Sequence, residues 1–300
     1  MVRVLPVHVD LPMIEPLQKD DALLADIAGA RGDRDRLHLW WLGQSGFLIQ
    51  WQEKQLLLDP YLSDSLTHKY AATDKPHVRM TALPLAPGRL NMVDVVTSSH
   101  NHTDHFDPDT LRPLLQANPA LRIVIPEANR VVSTERLGIP SSTFLGMDDG
   151  ISLNAAGFEI HGIAAAHETM ERDDRGHCKF LGYIIRTALW TIYHSGDTIL
   201  YDRMVDRLRK FSIDLALLPI NGRSPERRVA GNLWGREAAH LAHKIRAGLV
   251  IPMHYEMFEF NTTSPNEFID ECNRLRQPHC VLRCGERYCL NSTAPSPAAH

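Results

Sequence analysis

Hydrophobic positions occur along the chain as short continuous runs and as helical stripes, and this pattern predicts a mixed α/β protein. Four apolar residues at helical spacing predict a short packing helix over about residues 18–30. Three apolar runs follow, and polar turns separate them, which favours an antiparallel meander of strands. These runs are Leu37–Leu42, Gly46–Trp51 and Gln55–Leu58.

Beyond residue 93 the pattern changes to strands that alternate with helices. Val93–Ser99 predicts a buried strand, and Asp107-Pro108 is typical of a helix start, with an N-cap followed by proline at the first helical position. Alternation of this kind indicates an α/β fold. The predicted strands are Leu121–Ile125, Phe158–Ala164, Phe180–Arg186 paired with Leu189–His194, Ile213–Ile220, Leu249–Met253, and two short ones at Val281–Leu282 and Tyr288–Leu290. The predicted helical segments are Leu111–Gln116, Arg130–Arg136, the amphipathic Ile199–Lys210, Trp234–Ile245, and a final helix from Ser264 to about Leu275.

The domain organisation follows from the same pattern. No repeat of fixed period and no linker divides the sequence, so we expect a single domain over residues 1–300, with its core at about 37–290. The polar stretch Tyr61–Arg89 is long for a connection inside one domain, which predicts a lid or a substrate wall. The end of the chain, from about 292 to 300, has the composition of a disordered tail.

The densest group of metal-binding residue types directly follows the strand that ends at Ser99. Within six residues the sequence places His100, His102, Asp104 and His105. Neutral imidazole nitrogen and carboxylate oxygen are ligands that zinc, manganese and iron accept. A loop between a strand and a helix can aim alternate side chains at one ion and the other two at a point beside it. The motif therefore predicts two divalent metal ions.

Further candidate ligands stand at the ends of later strands. His167 follows the strand Phe158–Ala164, Asp197 lies in a Gly-Asp turn after another strand, and His254 comes one residue after the last long strand. His194 comes shortly before Asp197, but the alternation of side chains along a strand points it to the opposite face. We therefore expect His194 to support the site rather than to bind metal. The lone histidines His68 and His77 of the long polar stretch are expected to be solvated.

Composition and charge exclude several classes of function. The hydrophobic share of 44% is ordinary for a globular protein, and the net charge of -4 gives no electrostatic footprint for nucleic acid. No apolar run of about 18 residues is present, so no membrane span is expected, and the first residues lack the apolar core of a signal peptide. We expect a cytoplasmic protein that acts on small molecules; a homo-oligomer is compatible with these features. The five cysteines are odd in number and form no CxxC pair, which favours free thiols.

The order of these residues resembles the metallo-β-lactamase superfamily. The match consists of an HxHxDH motif, then a histidine, an aspartate and a last histidine, over roughly Leu37–Phe260. The resemblance implies a four-layer αββα sandwich whose dinuclear site lies on loops at strand ends. It also implies that Asp59, at the exit of the meander, lies beneath the metal site and holds the ligand loop.

The resemblance assigns a role to each ligand. It implies that His100, His102 and His167 hold one metal, that Asp104, His105 and His254 hold the second, and that Asp197 bridges the two. Three segments are similar to the L-ascorbate-6-phosphate lactonase branch: Leu39–Gly43, Tyr193–Asp197 and Val250–His254. That branch has an acidic residue at the position of His167, so its metal preference and its substrate do not carry over.

A metal-bound hydroxide that attacks a carbonyl or phosphoryl centre is the mechanism that this ligand set favours. No GxSxG nucleophile motif is present. We predict a lactone or ester hydrolase for a small substrate, and a phosphorylated sugar-like lactone is one candidate. The two ions are most simply zinc, with manganese or iron as alternatives. Asp104 would also orient the nucleophile or shuttle its proton.

Substrate contacts are expected after the strand that ends at Ile220. Asn221 is a candidate hydrogen-bonding residue, and Arg223, followed by Arg227 and Arg228, either meets an anionic substrate or belongs to a solvated basic loop. Two other functions stay open. One is a metal-dependent phosphodiesterase similar to phospholipase D-like relatives, which an apolar groove near Tyr61–Leu85 would favour. The other is a metal-stabilised binding protein without turnover.

Overall fold

Two β-sheets form the centre of the molecule in a computed structural model that describes residues 13–291. The first sheet has seven strands in the order β13-β1-β2-β3-β4-β5-β6. Its strands are β1 (Arg36–Trp41), β2 (Phe47–Trp51), β3 (Lys54–Leu58), β4 (Val95–Thr97), β5 (Arg122–Pro126), β6 (Phe144–Met147) and β13 (Arg287–Asn291). Strands β13 to β3 pair antiparallel, whereas β3 to β6 pair parallel.

The second sheet has six strands in the order β12-β11-β10-β9-β8-β7. Its strands are β7 (Ser152–Ala155), β8 (Phe158–Ala164), β9 (Leu181–Arg186), β10 (Thr191–His194), β11 (Leu215–Pro219) and β12 (Leu249–Met253). The strands β7 to β10 pair antiparallel and β10 to β12 pair parallel. Each sheet is therefore mixed, which is compatible with helices over one face and the other sheet over the opposite face.

Helices connect the strands, and most of them cover the outer faces of the two sheets. They are α1 (Asp20–Ala30), α2 (Ser65–Tyr70), α3 (Pro108–Ala117), α4 (Arg130–Leu137), α5 (Met204–Leu208), α6 (Gly235–Ile245) and α7 (Asn266–Leu275). Apolar residues of α1, α3 and α4 pack on the first sheet, and those of α6 and α7 pack on the second. The resulting architecture is the αββα sandwich of the metallo-β-lactamase fold.

Strand β1 illustrates how the layers are built. Successive side chains of a strand point to opposite faces of the sheet. Leu39 and Trp41 accordingly belong to the cluster between the sheets, while Trp40 and Leu42 pack under α1 and α3. Because both faces are covered, these four residues are buried and the strand reads as an unbroken apolar run in the sequence.

Most predicted elements are present, including the antiparallel meander β1 to β3. The predicted N-cap of α3 is also present, because the Asp107 side chain accepts a hydrogen bond from the backbone N–H of Asp109. Three differences stand out. The amphipathic segment Ile199–Lys210 forms only the short helix α5. The hairpin strand β7 and the neighbouring β6 were not predicted, and Val281–Leu282 is not a strand.

The long stretch Tyr61–Arg89 is not devoid of regular structure, because it contains helix α2 and a 3₁₀ turn at Pro87–Arg89. All five cysteines are free thiols. Among residues 13–291, no helix is long and apolar enough to cross a membrane. The predicted tail at about 292–300 lies outside the described residues.

The central strand β11 supports a stability prediction. Leu217 is fully buried and lies between His194 of β10 and Ile251 of β12. Truncation of such a side chain removes apolar contacts and leaves a cavity, so Leu217→Ala should lower the free energy of unfolding by about 2–5 kcal/mol. Leu189→Ala is the matched control, because Leu189 is 56% exposed, and it should change that free energy by less than about 0.5 kcal/mol. Urea denaturation at a fixed metal concentration measures both, and equal shifts would contradict the assignment of Leu217 to the core.

Candidate metal centre

The candidate ligands converge from four strand ends. His100, His102, Asp104 and His105 lie in the loop that connects β4 to α3. The remaining three, His167, Asp197 and His254, follow β8, β10 and β12. The structure thus brings all seven predicted ligands to one edge of the two sheets.

The first ligand group consists of three imidazoles. His100, His102 and His167 each offer a ligand atom, and these atoms lie within 4.8 Å of one another. The ring centroids of His102 and His167 are 5.2 Å apart. The Nδ1–H of His167 donates to the carbonyl oxygen of Gly231 over 2.8 Å, which fixes the ring so that Nε2 faces the other two rings.

The second group consists of Asp104, His105 and His254, whose ligand atoms also lie within 4.8 Å of one another. Asp197 stands between the groups. Its Oδ1 is 3.3 Å from His105 Nε2, and its Oδ2 is 3.4 Å from His254 Nε2 and 3.9 Å from His167 Nε2. A carboxylate in this position can contact both groups through its two oxygens.

Unpartnered polar atoms test whether these residues fit a metal. Buried polar atoms in proteins nearly always have a hydrogen-bond partner. Here His100 Nε2, His105 Nε2 and Asp197 Oδ1 are buried and have no hydrogen-bond partner among residues 13–291. Nitrogen and oxygen donors without partners, clustered at ligand spacing, match the donor set of zinc, manganese or iron. The residues fit a pair of divalent ions.

The electrostatics of the cluster also match a cation site. Burial acts to raise the pKa of Asp197, but His254 and His105 outweigh it and hold the pKa well below its ordinary value. Burial acts to lower the pKa of His254, yet Asp197 and Asp104 raise it to about 9. Burial lowers the pKa of His100 well below its ordinary value, so its imidazole is neutral and has a free lone pair. The buried carboxylate of Asp197 and the half-buried one of Asp104 therefore create a negative field that favours positive charge between them.

Asp59 contacts the start of the ligand loop and one of its histidines. Its fully buried carboxylate accepts from His105 Nδ1 over 2.7 Å and from the backbone N–H of Ser99 over 3.0 Å, and Ser99 Oγ also donates to it. This carboxylate orients His105 with its Nε2 toward the cluster, since a ring that donates through one nitrogen presents the other.

His194 is not placed as a metal ligand, because both of its ring nitrogens have hydrogen-bond partners in the backbone. Its Nε2–H donates to the carbonyl oxygen of Ser45 over 2.9 Å, and its Nδ1 accepts from the backbone N–H of Gly196 over 3.3 Å. These bonds tie the turn that carries Asp197 to the turn between β1 and β2. The predicted supporting role of His194 matches this geometry.

Gln44 was missed by the sequence reasoning. Its Nε2–H₂ group donates to Asp104 Oδ2 over 2.8 Å and lies 3.1 Å from His254 Nε2. The backbone carbonyl oxygen of Gln44 accepts a hydrogen bond from the backbone N–H of His254 over 2.9 Å. The only signal in the sequence was its position in a polar turn at a strand end.

Arg136 was also missed, because it lies at the end of an ordinary-looking helix, α4. Its guanidinium donates to the carbonyl oxygen of Asn101, to Thr103 Oγ1 over 3.2 Å and to the carbonyl oxygen of Phe106 over 2.9 Å. It also lies 5.4 Å from the centroid of the Phe106 ring. One side chain therefore holds both ends of the ligand loop.

A cavity of about 450 Å³ opens over the cluster of candidate ligands. Asn221 lines it, with Oδ1 buried and unpartnered, which agrees with its predicted placement. Arg223 does not line it, because Glu237 of α6 holds its guanidinium by two hydrogen bonds of 2.7 and 2.8 Å. His77 is not solvated as expected: it lines the cavity and stacks on Tyr70 at 4.1 Å.

Comparison with known proteins finds relatives that bear the name of metal-dependent hydrolases. A UPF0173 metal-dependent hydrolase from Caldivirga maquilingensis is 28% identical over 238 residues, which covers 77% of this chain and 87% of the relative. The metallo hydrolase Igni18 from Ignicoccus hospitalis has 23% identity and a TM-score of 0.62, over 85% of this chain and 99% of that structure. A possible metal-dependent hydrolase from Veillonella parvula has 17% identity and a TM-score of 0.68, over 85% and 98%.

The family model of the beta-lactamase superfamily domain matches residues 38–254, well over half of the chain. This span begins in β1 and ends at the last candidate ligand, His254, so it contains every candidate ligand and all strands of both sheets except β13. The chain therefore belongs to the beta-lactamase superfamily, and its relatives bear the name of metal-dependent hydrolases.

Proposed function

We propose that the protein is a dinuclear metal-dependent hydrolase that cleaves a lactone or an ester of a small molecule. The observation that carries this proposal is the position of Asp197, whose two oxygens lie within 3.9 Å of imidazoles of both ligand groups. His100, His102 and His167 would hold one ion, Asp104, His105 and His254 the other, and Asp197 would bridge them. Zinc is the simplest pair of ions, with manganese or iron as alternatives.

When bound, two such ions polarise the substrate oxygen and lower the pKa of a water held near them. Among the residues of the chain, Asp104 has the catalytic role. Its contacts with Gln44, His105 and His254 all involve Oδ2. Oδ1 is therefore available to orient the attacking water and to accept its proton.

The size and the walls of the cavity support a small substrate. A volume of about 450 Å³ lies in the range of small-molecule sites. Asn221 donates through Nδ2 to Asn261 Oδ1 over 2.8 Å, which leaves its own Oδ1 to accept a hydrogen bond from a substrate hydroxyl. Arg223 has no part in this proposal, since Glu237 already neutralises it.

A phosphodiesterase is the second candidate, because one wall of the cavity is aromatic. Tyr70, His77, Phe258 and Phe260 line that wall, and the rings of His77 and Phe260 are 4.4 Å apart. Such a wall offers an apolar surface to the non-polar part of a phosphodiester, and the same pair of ions activates water for attack on phosphorus.

Substitution of the proposed bridging residue tests the dinuclear site. Asp197→Ala should reduce bound metal from near two ions per chain to one or fewer, and hydrolysis should fall at least about 100-fold, because both ions lose a ligand. Metal content by mass spectrometry and steady-state kinetics measure the two effects. Asp270→Ala removes an exposed carboxylate of α7 and is the control.

Two outcomes would contradict this assignment. One is an Asp197→Ala protein that keeps two ions and full activity. The other is a wild-type protein that hydrolyses its substrates equally well after chelation and removal of all bound metal. Restoration of activity by added zinc or manganese is the expected result after chelation.

The contact between Asp59 and His105 predicts a graded effect on metal affinity. Asp59→Asn keeps the shape of the side chain but weakens the hydrogen bond that orients His105, so metal affinity should fall about 10- to 100-fold. Titration of the metal against a competing chelator measures this affinity without any substrate. An unchanged affinity would show that Asp59 has no role in orienting the ligand loop.

A substrate panel separates the two candidate functions. A lactone or ester hydrolase should turn over small lactones and aryl esters at least about tenfold faster, in kcat/KM, than bis-aryl phosphodiesters. The reverse preference would establish the phosphodiesterase instead. Binding of two ions with turnover of neither class would favour a metal-stabilised binding protein.

A further inference from the structure

The charges that line the cavity are unbalanced once the metal ligands are set aside. Among the described residues that line it, the acidic side chains are Asp104 and Asp197, both proposed as ligands. Its basic side chains, apart from histidines, are Lys69, Lys75, Arg136 and Arg228. No carboxylate is left in the lining to pair with these four cations.

Two of the four cations are already engaged. The guanidinium of Arg136 donates to three oxygens of the ligand loop, at Asn101, Thr103 and Phe106. The guanidinium of Arg228 pairs with Asp74 over 2.9 Å outside the cavity lining. The charge of Arg228 is therefore already partnered by a carboxylate, and the position of Arg136 is fixed by the ligand loop.

Lys69 and Lys75 differ from these arginines. Among the described residues 13–291, neither ammonium group lies within ion-pair distance of a carboxylate. The Lys75 ammonium donates one hydrogen to the carbonyl oxygen of Arg228, and a lysine has three hydrogens to donate. Burial and the neighbouring Arg228 lower the pKa of Lys75, so an anion beside this ammonium would relieve an unfavourable environment.

The two lysines flank the aromatic wall. Lys69 Nζ is 5.1 Å from the centroid of the Tyr70 ring, and Lys75 Nζ is 4.5 Å from the centroid of the Phe260 ring. Between them the Tyr70 and His77 rings stack at an interplanar angle of 17°. Cationic donors at the margin of an aromatic surface suit a ligand that joins an anionic group to a flat or apolar part.

We propose that Lys69 and Lys75 bind an anionic group of the substrate, a carboxylate or a phosphate monoester, at a distance from the bond that is hydrolysed. This inference deepens the proposed hydrolase function and rests on it. It assigns the recognition of the anion to the segment Lys69–Lys75, which begins in the last turn of α2 and continues past its end, and not to Arg223.

Matched lactones test the proposal with metal-loaded protein. Three compounds share one ring and differ only in the end of a side arm, which is a phosphate, a carboxylate or a hydroxyl. For wild type, kcat/KM should be at least about tenfold higher for one of the anionic compounds than for the hydroxyl compound. The larger of the two anionic values identifies the group, because phosphate and carboxylate differ in charge and in number of acceptor oxygens.

Lysine variants then locate the preference. The preference is the kcat/KM for the anionic compound divided by that for the hydroxyl compound. Lys75→Met should lower this ratio about tenfold, because KM for the anionic compound rises. The double variant Lys69→Met/Lys75→Met should lower the ratio further. Added potassium chloride should lower the ratio in wild type and have less effect on the double variant. Lys210→Met removes one exposed lysine outside the cavity and should keep the wild-type ratio. Each variant should retain the metal content of wild type.

Two results would overturn the proposal, and they are distinguishable. Metal-dependent turnover of the three compounds with equal kcat/KM, or a preference that both lysine variants retain, would exclude this anion site and leave the hydrolase function standing. Turnover of none of the three by protein that holds two ions would contradict the lactonase function, and the anion site would fail with it.

Discussion

The buried carboxylate of Asp59 is the constraint on which the metal centre depends. It lies at the end of β3 and binds the backbone of Ser99, the hydroxyl of the same residue, and Nδ1 of His105. These contacts join the antiparallel half of the first sheet to the loop that begins the ligand motif. A buried carboxylate is tolerated only where donors satisfy it. The loop therefore has one arrangement that satisfies Asp59, and in that arrangement His105 faces the second ligand group.

The two sheets supply what a single loop cannot. His100, His102 and His105 come from the first sheet, whereas His167 and Asp197 come from the second. A centre with this ligand set forms only when the sheets face each other, and the large cluster of buried residues between them secures that packing. Metal binding and folding are coupled in such a site, since the ligands are distant in the unfolded chain and close in the folded one. The stability of the interface and the affinity for metal are linked properties of this molecule.

Much of the fold and of the ligand set could be predicted from the sequence, because both depend on patterns of neighbouring residues. The continuous apolar run of β1 and the HxHxDH spacing each need only a few neighbouring residues to be recognised. Contacts between distant segments leave no such pattern. Gln44 contacts Asp104 sixty positions later, and the sequence predicted substrate contact for Arg223 because nothing local shows that Glu237 pairs with it. Helix α2 was missed for the same reason, since Tyr70 and Leu66 are stabilised by packing with Phe258 and its neighbours.

The residues proposed for the chemistry and those proposed for substrate recognition lie on different parts of the fold. The proposed ligands stand at strand ends and are held by buried partners such as Asp59, His194 and Gly231, so their positions follow from the sheets. The cavity walls come instead from the connections around α2 and around Arg228, where the ion pair to Asp74 is largely exposed and contributes little stability. Changes in these connections can alter the charge and shape of the cavity at small cost to folding. The proposed ligands fix the position of the chemistry, whereas the cavity walls determine which substrate can reach it, so the ligands alone do not specify what this protein hydrolyses.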